Sequence, residues 1–129
     1  MTAIPLFESS VSAGFPCPAE TSIDQTLDLN ALLVTHPAAT FFVRVQGNSM
    51  EGANIFSGDI LIVDRSLEAV HGKVVVAILG GEFTVKRLHK RREKISLVAE
   101  HPDYKPIEIS TASDFQVWGV VTHVIHQMR

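Results

Sequence analysis

Two runs of β-branched and apolar residues flank a pair of glycines in the middle of the chain. Residues 72–79 precede Gly80 and Gly81, and residues 82–88 follow them. A two-residue turn between antiparallel strands requires positive φ angles, which glycine adopts without steric cost, so the pattern predicts a β-hairpin. No helix follows the glycines, so they do not form a phosphate-binding loop. The hairpin restricts the chain to folds that contain antiparallel strands.

Strand-like segments occupy most of the sequence after residue 39. A short helix is predicted at residues 29–34, with Asp28 as its N-cap and Pro37 beyond its end. The sequence therefore predicts a mainly β fold of strongly bent antiparallel sheets with one short helix. The further predicted strands are residues 40–45, 59–64, 95–99, 107–109 and 115–125.

The first 26 residues differ in composition from the rest of the chain. Prolines at this density prevent regular helix and favour an extended arm. Two interpretations remain open for the arm, docking onto another surface or disorder of the N-terminus. We expect an extended N-terminal arm at residues 1–26 and one domain at residues 27–129. The arm also carries apolar residues that favour docking, namely Leu6, Phe7, Val11 and Phe15.

Composition excludes several classes of protein. A chain of 129 residues with 46% hydrophobic residues can bury a core as one domain and is not disordered. A net charge of -3 argues against a dedicated nucleic-acid binder. The single cysteine leaves no internal disulfide, and no segment has the pattern of a membrane span or a signal peptide. These features predict a cytoplasmic protein.

Ser49 and Lys86 are the pair of residues with the clearest chemical potential. Ser49 lies just past Gly47, where a predicted strand breaks, and Lys86 interrupts the apolar run of residues 82–88. Strand alternation puts Lys86 on the same face as Thr84 and Leu88. If that strand packs against the turn at Gly47, the lysine amine meets the serine hydroxyl.

Such a pair has the chemistry of a nucleophile and its base. A serine hydroxyl needs a base within hydrogen-bond distance, and burial of Lys86 would favour the neutral amine that can accept the proton. Backbone N–H groups of Ser49 and Asn48 are the natural donors to a developing oxyanion. On residue chemistry alone, a structural turn serine and a solvated lysine remain the alternative.

The other polar residues are predicted to have structural roles. Cys17 is predicted to be an ordinary small residue, and no Cys/His spacing indicates zinc. His123 and His126 are predicted to point to opposite faces of a strand, so no metal or cofactor site is expected. Residues 89–94 form a basic cluster that is predicted to be a solvated hairpin tip, with a nucleic-acid contact as the alternative. Carboxylates that flank strands are predicted to be turn or surface residues, namely Asp59, Asp64 and Glu82.

Three segments together resemble one known family. Residues 47–50, 57–64 and 81–86 resemble, in order and content, the self-cleaving serine/lysine peptidases related to LexA. Within that family the chain is similar to the UmuD-like proteins. The resemblance extends over nearly the whole chain, from Pro5 in the arm to the ending at residues 119–129.

The resemblance implies a LexA-like peptidase domain and roles for four residues. Ser49 matches the nucleophile, Lys86 matches the general base, and self-cleavage is expected between Ala13 and Gly14. The family further implies a protein induced by DNA damage in the SOS response, whose cleavage is stimulated by a RecA filament on single-stranded DNA. The product, residues 14–129, would be a homodimeric accessory subunit of a UmuC-like Y-family translesion polymerase, without cofactor, membrane contact or direct nucleic-acid readout.

Two other functions remain open at this point. The chain would be a catalytically silent interaction subunit of the polymerase if its serine and lysine no longer react. It would be a soluble serine/lysine protease acting on other proteins if its cleft accepts unrelated peptides.

Overall fold

The computed structural model of the chain describes residues 4–7, 13–16 and 23–128. The chain divides into two compact units, Met1–Thr35 and His36–Arg129. The predicted boundary between an arm and a domain at residue 26 stays a prediction. Within the described residues, no helix combines the length and the apolar character that crossing a membrane requires.

The described residues of the first unit form an antiparallel strand pair and a helix. Strand β1 (Ile4–Phe7) pairs with strand β2 (Ile23–Leu27), and helix α1 (Leu29–Leu33) follows. Asp28 caps this helix because its side chain accepts a hydrogen bond from the backbone N–H of Asn30 at 3.0 Å. The short helix and its N-cap are thereby confirmed.

The second unit is a seven-stranded antiparallel sheet, which confirms the predicted mainly β fold. Its strands are β3 (Thr40–Arg44), β4 (Ile60–Asp64), β5 (Val74–Leu79), β6 (Glu82–Arg91), β7 (Lys94–Val98), β8 (Ile107–Ile109) and β9 (Phe115–Ile125). Their spatial order is β3-β4-β9-β5-β6-β7-β8. Both β4 and β5 shift register where they pair with β9, and such irregularities bend a sheet.

Strand β5 lies inside the sheet and buries both of its faces. Val76 belongs to one core cluster together with Leu61, whereas Val75 and Ala77 belong to a second cluster together with Leu97. Neighbouring strand residues point to opposite faces, so a strand covered on both sides is apolar at every position. Because both faces of β5 are buried, its sequence is a continuous apolar run without alternation.

The two ends of β6 are tight turns. Gly80 and Gly81 join β5 to β6 with φ angles of 58° and 80°, which confirms the predicted hairpin. At the other end β6 continues through Arg91, and only Arg92 and Glu93 form the turn to β7. The basic cluster therefore consists of strand ends and a short turn.

The expectation that Asp59 and Asp64 lie at the surface is wrong. Each is only 4% exposed. Asp59 Oδ1 lies 2.6 Å from Nδ1 of His126, and Asp64 Oδ2 lies 2.6 Å from Nδ1 of His36. Each carboxylate also accepts a backbone N–H two or three residues away, so the predicted turn role is correct. The histidine partners come from distant parts of the chain and leave no local signal in the sequence, whereas Glu82 is exposed.

Asp64 gives the fold a predictable sensitivity to acid. Hydrogen bonds from Ser66, and secondly from His36, lower the pKa of Asp64 to about 2. Because the unfolded carboxyl titrates near pH ~3.9, the stabilisation is complete above that pH and is lost as the pH falls toward the folded pKa. Melting temperatures measured down through this window should fall more steeply for the wild type than for Asp64→Asn. Parallel curves for the two proteins would contradict this assignment.

Candidate active site

Ser49 lies on a turn that follows the edge strand β3. The chain beyond β3 is fastened to the turn before β4, since the backbone N–H of Val45 donates to the carbonyl of Asp59 at 2.9 Å. Gly47 then adopts a φ of 95°, and its N–H donates to Oγ of Ser57 at 3.3 Å. A positive φ favours glycine, so this residue sets the direction in which the chain enters the serine turn.

The residues on both sides of Ser49 are fixed by the core and by the loop after β7. Met50 is 2% exposed and belongs to the first core cluster. The backbone N–H of Gly52 donates to the carbonyl of Glu100 at 2.8 Å, and a Cβ built on Gly52 would lie 2.6 Å from that oxygen. The hydroxyl of Tyr104 donates to Oδ1 of Asn48 at 2.7 Å. The turn therefore has little freedom to move.

Lys86 reaches Ser49 from strand β6. Its Nζ lies 3.1 Å from Oγ of Ser49, 2.8 Å from Oγ1 of Thr84 and 3.2 Å from the carbonyl oxygen of Val85. An ammonium group has three donors, and these three oxygens can accept all of them. The contact with Thr84 confirms that the two side chains share a face of the strand, as alternation predicts.

Partial burial changes the acidity of Lys86. Desolvation lowers the pKa of the Lys86 ammonium below the ordinary range of lysine, because the low-dielectric surroundings disfavour the charged form. None of the ion pairs among the described residues involves this lysine. A neutral amine is therefore more accessible here than on an exposed lysine.

The pair lies in an open cleft of about 350 Å³. Its walls are residues 43–47, at the end of β3, and residues 83–86 of β6. β3 is an edge strand, and β6 pairs with β7 only from Arg87 onward, so within the described sheet both walls have a backbone edge without a strand partner. An extended peptide can add to such an edge. The apolar side chains of the cleft are Val43, Val45, Met50, Val76, Phe83 and Val85.

Two backbone donors lie beside the serine hydroxyl. Within the described residues, the backbone N–H groups of Asn48 and Ser49 donate to no protein acceptor. Donors of this kind at a tight turn can stabilise an oxyanion.

The other predicted site residues fall elsewhere. Ala13 and Gly14 belong to the first compact unit, whereas Ser49 and Lys86 belong to the second. Cys17 lies outside the described residues, as do residues 11–12 of the predicted cleavage segment.

The two C-terminal histidines have separate partners. His123 contacts Oγ1 of Thr122, and His126, which lies beyond the end of β9, contacts Asp59. Across the described parts of the chain, no cluster of three or more potential ligands could hold a metal ion.

Sequence reasoning missed the contacts that orient the pair. Strand alternation puts Thr84 on the same face as Lys86 but indicates no role for it. The bond from Tyr104 to Asn48 and the ion pair of Arg87 with Glu100 join residues that are far apart in the chain. An ordinary tyrosine in a loop carries no local signal for such a contact.

Comparison with known proteins places the chain in a family. Residues 5–122 match the peptidase S24-like family. The chain is 44% identical over 126 residues to Protein ImpA of Escherichia coli, covering 97% of this chain and 85% of that protein. It is 46% identical over 122 residues to Protein MucA of Salmonella typhimurium, covering 94% and 83%. It is 40% identical over 118 residues to the LexA repressor of Pseudomonas chlororaphis, covering 91% of this chain and 58% of the repressor.

The β domain holds a serine hydroxyl 3.1 Å from a half-buried lysine amine in an open cleft, and the family match defines a self-cleaving serine peptidase at the level of the family. The chain belongs to the peptidase S24-like family, among the UmuD-like relatives of the LexA repressor. The resemblance that the sequence motifs indicated is thereby confirmed.

Proposed function

We propose that this protein is a self-cleaving serine peptidase of the SOS response, with Ser49 as nucleophile and Lys86 as general base. The observation that carries the proposal is the 3.1 Å contact between Oγ of Ser49 and Nζ of Lys86, in a cleft where burial lowers the pKa of the lysine. A nucleophile within hydrogen-bond distance of a base with a shifted pKa is the signature of covalent catalysis.

The hydrogen-bond partners of Lys86 fit its role as a base. When the amine is neutral, two N–H groups can donate to Thr84 and to the carbonyl of Val85. The remaining lone pair then points at Ser49 and accepts a hydrogen bond from the serine O–H. The same three contacts thus hold the amine in the orientation that receives the serine proton.

The reaction proposed here cleaves the bond between Ala13 and Gly14. Oγ of Ser49 bonds to the carbonyl carbon of Ala13 while its proton moves to Nζ of Lys86. The oxyanion accepts hydrogen bonds from the backbone N–H groups of Ser49 and Asn48. The C–N bond then breaks, and Nζ returns the proton to the leaving amine of Gly14. Water, deprotonated by the same amine, hydrolyses the ester on Ser49 and restores the hydroxyl.

The proposed substrate segment lies between two paired strands. Ala13 and Gly14 belong to the connection from β1 to β2, whose pairing keeps the two ends of the connection together. Alanine presents little bulk beside the carbonyl, and glycine lets the leaving side approach closely. Because substrate and catalyst belong to one chain, a slow catalyst can act at high effective concentration.

The biological setting of the proposal rests on the family. By its relationship to UmuD-like proteins, cleavage would be stimulated by a RecA filament on single-stranded DNA. The product, residues 14–129, would act as a homodimer and as the accessory subunit of a UmuC-like Y-family polymerase. Similarity to ImpA, MucA and the LexA repressor supports this setting.

Intact mass after incubation at rising pH tests the proposal. The cleavage rate should rise with pH, because Lys86 must be neutral, and should level off below the ordinary lysine pKa of ~10.4. The product should begin at Gly14, and addition of RecA, single-stranded DNA and nucleotide should accelerate its formation. An unchanged mass in every condition would reduce the protein to a silent interaction subunit.

Thr84→Val is the matched variant for the pH dependence. It removes an acceptor that stabilises the Lys86 ammonium, so the midpoint of the rate profile should move to lower pH while the maximal rate falls. A midpoint that stays in place would argue that the titrating group is not Lys86.

Cleavage of an unrelated protein added to the sample would instead favour a protease acting in trans.

A further inference from the structure

Residues 89–94, named here the basic hairpin, carry positive charge at a tight turn. Lys90 and Arg91 end strand β6, Arg92 lies in the turn, and Lys94 begins β7. Arg91 and Lys94 are direct partners across the ladder, and like charges placed directly opposite each other destabilise a strand pair. Arg92 adopts a φ of 57°, a region that non-glycine residues rarely occupy. The chain keeps this charge at a local cost in stability.

The cations of the basic hairpin have no ion-pair partner in the described parts of the protein. Lys90, Arg91, Arg92 and Lys94 are all exposed, and none belongs to an ion pair. The net charge of the chain is -3, yet four of its 11 lysines and arginines fall within residues 90–94. The overall charge therefore conceals a concentrated positive surface.

Two histidine rings lie beside the basic hairpin. The rings of His71 and His89 have centroids 5.2 Å apart and planes at 58°. Nδ1 of His71 accepts the backbone N–H of Lys90 at 3.0 Å, so this nitrogen carries a lone pair and the proton of the ring is on Nε2. His71 is exposed and offers a flat ring next to the cations. Unpaired bases stack on rings of this kind.

The groove beside the basic hairpin has a mixed lining, in which Ile95 and Ile109 lie among polar and charged side chains. It has a volume of about 420 Å³ and is lined by the cations Arg91 and Lys94, by Ser96, and by the acids Glu93 and Glu108. Of the large apolar side chains exposed in the described chain, only Val70 and Ile107 are sequence neighbours of residues on this surface, His71 and Glu108. A membrane-binding surface or the centre of a protein interface would need a larger apolar patch. Closely spaced, unpaired lysines and arginines suit a row of phosphates, which guanidinium groups bind with two donors each.

We propose that the basic hairpin binds the phosphodiester backbone of a nucleic acid, with His71 stacking on an unpaired base. Contacts of this kind carry no base-edge readout, so binding would depend little on sequence. The hairpin lies on strands β6 and β7 and includes neither Ser49 nor Lys86. The proposal therefore stands or falls separately from self-cleavage.

Fluorescence anisotropy with a labelled oligonucleotide tests the proposal. All samples carry Ser49→Ala so that the full chain is present, and the test variant adds Lys90→Gln, Arg91→Gln and Arg92→Gln. The control adds Lys105→Glu and Gln116→Glu, which change the net charge equally but lie outside the basic hairpin. If four phosphates are contacted on a single strand, the logarithm of affinity should fall with the logarithm of salt concentration with a slope of about -3. The test variant should reduce this slope by about 2, whereas the control should keep it.

Several outcomes would overturn the proposal. They are absence of binding at low salt, an equal slope in the test variant and the control, and tighter binding to polyglutamate competitor than to the oligonucleotide. The single-stranded oligonucleotide should bind more tightly than the duplex, and His71→Ala should remove that preference. A preference for the duplex would overturn the stacking role of His71.

The melting temperature of the test variant verifies that it is folded. This temperature should equal or exceed the wild-type value, because the substitutions relieve the repulsion between Arg91 and Lys94.

Discussion

Replacing Lys86 with alanine should abolish self-cleavage at every pH and leave a folded protein. The variant loses the base that accepts the Ser49 proton, and a general base contributes about 10²–10⁴-fold to such reactions. Ser49→Ala should have at least the same effect, and the double variant should lose little more, because nucleophile and base act as a unit. Intact mass over a pH series measures the loss, and melting temperature verifies the fold.

Lys86→Arg separates the proton-transfer role from simple positive charge. Arginine keeps the charge and the donors near Thr84 and Ser49, but it remains protonated and cannot act as a base. It should be as inactive as Lys86→Ala, whereas Lys105→Ala, which removes an exposed lysine, should cleave at the wild-type rate. Cleavage by the arginine variant would contradict the role proposed for Lys86.

In the proposed mechanism one hydroxyl and one amine carry out the reaction, and the surroundings of Lys86 support this. Lys86 is half-buried, its pKa is lowered by desolvation, and its donors have fixed acceptors in Thr84 and Val85. Among the described residues no carboxylate forms an ion pair with Lys86, so no such partner opposes the loss of its proton. Under the proposal, fixed acceptors and partial burial would orient the base, as a third residue does in a catalytic triad.

Features that depend on local sequence could be predicted. Gly80 and Gly81 adopt the positive φ angles that their position between two β-branched runs indicated, and Asp28 caps α1. Strands could be recognised from the alternation of their side chains, because the two faces of a strand meet different environments. Alternation in β6 also puts Lys86 on the correct face. Its approach to Ser49, however, depends on whether β6 packs against the turn at Gly47, which the sequence does not show.

Features that join distant residues could not be predicted. Asp59 contacts His126 and Asp64 contacts His36, and both carboxylates are buried. The sequence around each carboxylate is that of an ordinary turn and predicts neither contact. The hydroxyl of Tyr104 donates a hydrogen bond to Asn48, and no sequence pattern predicts that contact. Such contacts depend on how strands are ordered in the sheet, and a single sequence does not define that order.

Residues 89–94 form a basic cluster that the sequence shows directly, but the surroundings of the cluster depend on the fold. A net charge of -3 argues against nucleic-acid binding only when charges are evenly spread. Strand pairing brings Arg91 and Lys94 together at the end of one hairpin, beside His71. The sequence shows the cluster of charges, whereas the pairing of Arg91 with Lys94 and the ring of His71 beside them appear only once the strand register is known.

Gly52→Ala should impair cleavage through the position of the serine turn. A Cβ at this residue would lie 2.6 Å from the carbonyl oxygen of Glu100, which also accepts the Gly52 N–H. Neither partner is a flexible side chain, so the turn or the facing loop must shift. Overpacking of this kind costs about 1–3 kcal/mol of stability. A displacement of about 1 Å at the nucleophile can reduce the rate by about 10²-fold.

Asn54→Gly is the matched control for this prediction, because it changes the same turn without a clash. Asn54 adopts a φ of 62°, which glycine accepts freely, so this variant should cleave at close to the wild-type rate. Rates are compared well below the melting temperature of each protein, so that unfolding does not contribute. Cleavage by Gly52→Ala at the wild-type rate would mean that Ser49 tolerates movement of its turn. In that case the contact between residue 52 and Glu100 would stabilise the fold without positioning the nucleophile.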